Sequence, residues 1–134
     1  MKITILGCGY QGLVTGTCFA ENGHSVVCLD KNPAVINQLQ AGKLPIHEPG
    51  LEELIIRNLE EERLSFTTDL SAALDGSLMV FLCVGSPADR LGQVDLSNVL
   101  SVTEEIAKKR TGYQIIVNKS TCPPGTAKKI EEIW

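Results

Sequence analysis

Hydrophobic positions along the chain follow two rhythms that alternate from one end to the other. Short β-rich apolar runs occupy Lys2 to Leu6, Ser25 to Leu29, Leu64 to Thr67, Leu78 to Val84 and Gln114 to Asn118, each reading as a strand. The fourth, LMVFLCV, is apolar at every position, which suits a strand covered on both faces rather than one with a wet side. Parallel pairing between layers of helices is the natural inference.

Between these runs the spacing changes to that of helices. Leu13 to Ala20 reads as a helix leaving the first strand. Asn32 followed by Pro33 reads as a helix cap and first turn, with Val35, Ile36 and Leu39 as the buried stripe and Gly42 as the stop. After Pro49-Gly50, the residues Leu51, Leu54, Ile55 and Leu59 recur at helical spacing, so the crossover from the second strand to the third holds one helix more than it needs. Thr68 or Asp69 should cap a short helix ending at Gly76. Asp95 should cap another whose core face is Leu96, Val99, Leu100 and Ile106, and Ala127, Ile130 and Ile133 mark a last helix. The alternation predicts an α/β domain: a doubly wound parallel sheet of the Rossmann type with helices on both faces.

With 134 residues the chain has the size of one domain, and 43% hydrophobic with 21% charged residues is ordinary for a globular protein. No apolar run approaches the ~18 residues that would span a bilayer, and no basic-then-apolar leader opens the chain. The five cysteines are odd in number and lie in separate elements without a C-x-x-C pair, so they suggest neither a disulfide framework nor a metal site but a reducing cytoplasm. The net charge of -4 and scattered cations argue against a nucleic-acid partner.

One loop carries candidate chemistry. Gly7-x-Gly9-x-x-Gly12 follows a strand and opens a helix, and Asp30 stands at the end of the next strand, 18 residues beyond Gly12. In a dinucleotide-binding loop Gly7 makes the tight turn, Gly9 leaves room for a pyrophosphate and Gly12 brings the helix close to the sheet. Gly16 and Ala20 would continue that small-residue side. The free N–H groups of the first turn, with the helix dipole behind them, form the anion site. A carboxylate at Asp30 accepts hydrogen bonds from both hydroxyls of an adenosine ribose and repels a 2′-phosphate, which favours NAD over NADP. Lys31 beside it is the one cation that could offset this.

Several further motifs occur in order: MKITILGCGYQGLVTG at the start, PIHEPGLEEL at 45 to 54, FTTDL at 66 to 70, VGSP at 84 to 87, DLSNVL at 95 to 100 and NKSTCPPGT at 118 to 126. Through them essentially the whole chain resembles the N-terminal NAD-binding domain of the UDP-glucose/GDP-mannose dehydrogenase family. The resemblance implies oxidation of a nucleotide-sugar CH2OH to a carboxylate by two hydride transfers to NAD. It also implies a catalytic cysteine, trapping the aldehyde, in a C-terminal half that this chain does not contain. Gly7, Gly9, Tyr10, Gln11 and Gly12 would surround the pyrophosphate, and Asp30 the ribose. Gly85, Ser86 and Pro87 would border the nicotinamide, with Thr121 beside it as a supporting catalytic hydroxyl. Ser86 stands for the usual threonine, Gln11 for valine and Val35 for a basic residue near the adenosine end.

The resemblance further implies a longer, two-domain, homodimeric enzyme, of which residues 1–134 are one dinucleotide-binding domain ending at a cut. The alternative is a stand-alone NAD-binding or sensing module. Cys8 and Cys122 are read as small apolar residues rather than reactive thiols, His24 and His47 as solvated loop residues, and no metal site is expected. Glu48 could reach substrate from its loop, and Lys119 could touch ligand or brace its loop.

Overall fold

The computed structural model describes residues 1–134. Its elements are β1 (Lys2–Leu6), α1 (Tyr10–Glu21), β2 (Ser25–Leu29), α2 (Pro33–Gln40), α3 (Leu51–Glu60), β3 (Leu64–Thr67), α4 (Leu70–Leu74), β4 (Met79–Leu82), α5 (Ser97–Lys109), β5 (Ile115–Asn118) and α6 (Thr126–Ile133). The five strands form one parallel sheet in the order β3-β2-β1-β4-β5. Leu6 is in register with Leu29 on one side and with Leu82 on the other, so the strands end level with one another. After β3 the chain returns across the sheet to β4, and the direction of winding reverses between β1 and β4. A crevice opens there at the strands' C-terminal ends.

Each face of the sheet carries its own core. Ile3, Ile5, Val26, Cys28 and Phe81 meet Leu13 and Ala20 of α1, Ile36 and Leu39 of α2, and Leu51 and Ile55 of α3. On the opposite face Leu6, Val80 and Leu82 meet Leu74 of α4, Val99 and Ile106 of α5, and Ile130 of α6. The long crossover from β2 to β3 thus places both of its helices on the α1 side.

Two of the capping signals act as their chemistry requires, whereas Asp95 stands one residue before Leu96, the N-cap of α5, and accepts from Ser97 N at 2.8 Å. Asn32 accepts a hydrogen bond from Ala34 N at 3.0 Å, and Asp69, rather than Thr68, caps α4 by accepting from Ser71 N at 2.9 Å. Two expected boundaries shift. The fourth strand spans only Met79 to Leu82, with Leu78, 41% exposed, just before it and Val84 beyond its end. Gln114 precedes β5, and its buried side-chain amide donates to Leu74 O and Ser77 O. The buried stripe of α5 is Val99, Thr103 and Ile106, with Leu96 and Leu100 only half-buried. Thr103 is accommodated because its hydroxyl donates back to Val99 O at 2.7 Å, so its polarity vanishes into the helix.

Candidate functional site

The crevice between β1 and β4 is a cleft of about 940 Å³, large enough for an extended small-molecule ligand. Its walls include Gly7, Gly9, Tyr10, Gln11, Asp30, Gly85, Ser86, Pro87 and Thr121. Nine of the ten candidate residues therefore converge from four separate parts of the chain. Gly12 is the exception, buried behind the loop instead of on the wall.

Two of the three loop glycines are explained from inside the protein. Gly7 turns the chain off β1 at φ +102°, its N–H donates to Leu29 O at 2.8 Å, and an added Cβ would lie 2.5 Å from the Cys83 carbonyl oxygen. At Gly12 the Cβ would sit 1.8 Å from Gly7 O, so only glycine lets α1 start this close to the sheet. Gly16 continues the approach, with a Cβ there 2.7 Å from Cys28 Sγ. Gly9 is different. Its φ of -74° suits any residue, and an added Cβ would meet no protein atom. What a side chain at Gly9 would obstruct is the cleft itself. The first turn of α1 opens beside it with no side-chain cap, leaving its N–H groups available to an anion.

Asp30, beside the glycine loop, does more than wait for a ligand. Its Oδ2 accepts from Cys8 N at 3.0 Å and its Oδ1 from Asn32 N at 2.9 Å, so the carboxylate is fixed by the glycine loop on one side and the start of α2 on the other. Each oxygen keeps a second lone-pair direction for a further donor. The Cys8 N–H is thereby committed to Asp30. Lys31 lies on the same wall, whereas Val35 packs into the α1-side core.

At the other end the exits of β4 and β5 are fastened together. Ser86 Oγ donates to Thr121 O at 2.5 Å, Ser120 Oγ donates to Val84 O at 2.7 Å, and Asn98 Nδ2 donates to Gly85 O at 3.1 Å. Thr121 is held beside Ser86 through its carbonyl. The α5 wall, comprising Asn98, Ser101, Val102 and Glu105, was not legible as site. Its helical spacing was visible, but a polar helical stripe ordinarily faces solvent.

The thiols are quiet. Burial, then the charge of Asp30, then Cys83 push Cys8 up to about 12, and burial pushes Cys83 up to about 11 against a smaller opposing effect of Lys119. Cys28, fully enclosed, is raised well above an ordinary thiol, chiefly by burial. All three are protonated at neutral pH and supply no nucleophile. Cys122 is half-buried, its sulfur accepting from Asn118 Nδ2 at 3.0 Å. Tyr10 donates its phenol proton to Glu48, which draws the PIHEPG loop to the start of α1; that hydrogen bond, with lesser contributions from desolvation and the Glu48 charge, raises the phenol above its ordinary value. Neither Glu48, His47 nor Lys119 lies on the cleft wall.

The sequence profile of the UDP-glucose/GDP-mannose dehydrogenase family, NAD binding domain, matches residues 1–134. The chain belongs to that family. It is 48% identical over 134 residues to the UDP-glucose 6-dehydrogenase of Rhizobium meliloti, covering 99% of this chain and 31% of that protein. It is 44% identical over 132 residues to the UDP-glucose 6-dehydrogenase TuaD of Bacillus subtilis, covering 98% of this chain and 29% of that protein. A crystal structure of a ternary complex of GDP-mannose dehydrogenase from Pseudomonas aeruginosa superposes with a TM-score of 0.92 at 36% identity, over 99% of this chain and 32% of that one. The chain therefore spans about a third or less of the relatives it matches, and within this family it corresponds to the NAD-binding domain. No helix is long and apolar enough to cross a membrane.

Proposed function

We propose that this chain is the cofactor-holding part of an NAD-dependent dehydrogenase that oxidises UDP-glucose, or a related nucleotide sugar, to the uronic acid. The observation that carries the reading is Gly9: a glycine with no internal reason to be one, beside an uncapped helix start and lining the same cleft as Asp30. Bound NAD supplies the hydride acceptor. The work of this chain is to bind and orient. Gly9, Tyr10 and Gln11 offer backbone N–H groups to a pyrophosphate, with Gly7 and Gly12 shaping their loop, and Asp30 holds the ribose and refuses a 2′-phosphate. Gly85, Ser86 and Pro87 border the nicotinamide end, where Thr121 contributes an uncharged hydroxyl that can donate and accept.

The sugar site, the nucleophilic thiol and the dimer contact belong, in this reading, to parts of a longer protein outside these residues. The raised thiols of the core agree with a chain that contributes no nucleophile. Cytoplasm is the proposed setting, where five free thiols stay reduced.

Calorimetric titration of the chain with NAD, NADP and UDP-glucose, repeated on Asp30→Ala, tests the reading. The expected outcome is NAD binding, NADP weaker by about tenfold or more, no response to UDP-glucose, and loss of the NAD preference in the variant. Preference for NADP, or an unchanged preference without Asp30, would overturn it.

A further inference from the structure

The cleft does not stop at Asp30. Asp30 follows β2, whose outer neighbour is β3, and the wall continues there through Thr68 and Leu70 at the start of α4. From α5, which packs against α4, the cleft is lined by Ser101, Val102 and, one turn beyond Ser101, Glu105. Leu29, Leu70 and Val102 are half-buried side chains resting on the α5-side core, so this end of the cleft has an apolar floor. Such a surface suits the face of a flat aromatic ring, whose polar edge must then be met by something at the margin.

Glu105 is the group at that margin able to accept strongly and unable to donate. The ion pairs of the chain are Arg57–Glu21, Arg63–Glu21 and Arg63–Glu61, so Glu105 belongs to none. Asp30, the other carboxylate of the cleft, already spends an acceptor site of each oxygen on Cys8 N and Asn32 N.

We propose that Glu105 reads the base of the dinucleotide, accepting a hydrogen bond from the exocyclic 6-amino group of adenine while Leu29, Leu70 and Val102 hold the ring. The proposal rests on the NAD reading above and adds a base-specificity residue to it. A purine with a carbonyl at position 6 would set acceptor against acceptor and be rejected.

The test compares NAD with nicotinamide hypoxanthine dinucleotide, by calorimetry, on the unaltered chain, Glu105→Gln and Asp30→Ala. NAD should bind about tenfold tighter than the hypoxanthine analogue, the value of one charge-assisted hydrogen bond. In E105Q the ratio should fall to within about twofold, because glutamine donates to the carbonyl as well as it accepts from the amine. In D30A both dinucleotides should weaken together, leaving the ratio intact. Equal affinities on the unaltered chain, or an unchanged ratio in E105Q, would overturn the role of Glu105 while leaving NAD binding standing. Absence of NAD binding would overturn both. Glu105 is exposed on α5, so the conservative variant retains the fold.

Discussion

A methyl group added at Gly12 would lie 1.8 Å from a backbone oxygen, whereas one added at Gly9, three residues earlier, would project into open space. The same substitution should therefore separate packing from binding. Gly12→Ala is expected to cost at least about 3 kcal/mol of stability, since backbone rather than a yielding side chain must move. Gly9→Ala should change stability by less than about 1 kcal/mol, yet weaken NAD binding by about tenfold or more. Chemical denaturation beside calorimetry checks both; a destabilised Gly9 variant would remove the assignment of that glycine to the ligand. Asp30 combines the two roles. Its carboxylate holds the N–H groups of Cys8 and Asn32 with no ligand present, so Asp30→Ala should also lower the stability of the unliganded chain, by about 1–2 kcal/mol.

At the scale of elements, the helices are defined by their ends as much as by their stripes. Asp69 accepts from both Ser71 N and Ala72 N, and α4 is a single short turn that this cap makes possible. Asp69→Ala should cost about 1 kcal/mol in thermal or denaturant unfolding; Asp69→Asn should recover most of it. Much of this was legible, because strand alternation, Pro33 and the glycine stops depend on local chemistry that the residue order carries. The less legible parts depend on tertiary partners. Nothing local announces that Thr103 is buried, that Gln114 caps the end of α4, or that the polar stripe of α5 lines a cleft. Asn58 is similar: fully buried in α3, it is satisfied by donating to Glu21 of α1 at 2.8 Å and accepting from Arg63. Among the site residues, the glycine loop and Asp30 could be placed from spacing alone. Gly85 to Pro87 and Thr121 needed resemblance to a family, because their meeting depends on adjacent strand exits far apart in the chain.

For the molecule as a whole, the cores on the two sheet faces are unequal. Fifteen buried apolar residues pack on the α1 side and seven on the α5 side. The edge strand β5 is only half-buried along most of its length, with Ile115 exposed. Amides of β1 and β2 should accordingly exchange with solvent more slowly than those of β5, as hydrogen exchange would read. Alkaline pH tests the larger core directly. Cys8, Cys28 and Cys83 keep their protons in the folded chain to higher pH than in the unfolded one, so their stabilising effect is complete below an unfolded thiol value near 9. As pH rises further, the unfolded chain releases protons that the folded chain retains, and stability should fall by about 1.4 kcal/mol per pH unit for each such thiol, continuing toward pH 11–12. A flat denaturation midpoint between pH 8.5 and 10.5, set as roughly the span above an ordinary thiol, would contradict that burial. The glycine-loop end of the cleft is built on the larger core, and the exits of β4 and β5 at its other end are joined by the hydrogen bonds of Ser86 with Thr121 and of Ser120 with Val84, so the cleft is shaped from both ends by the chain itself.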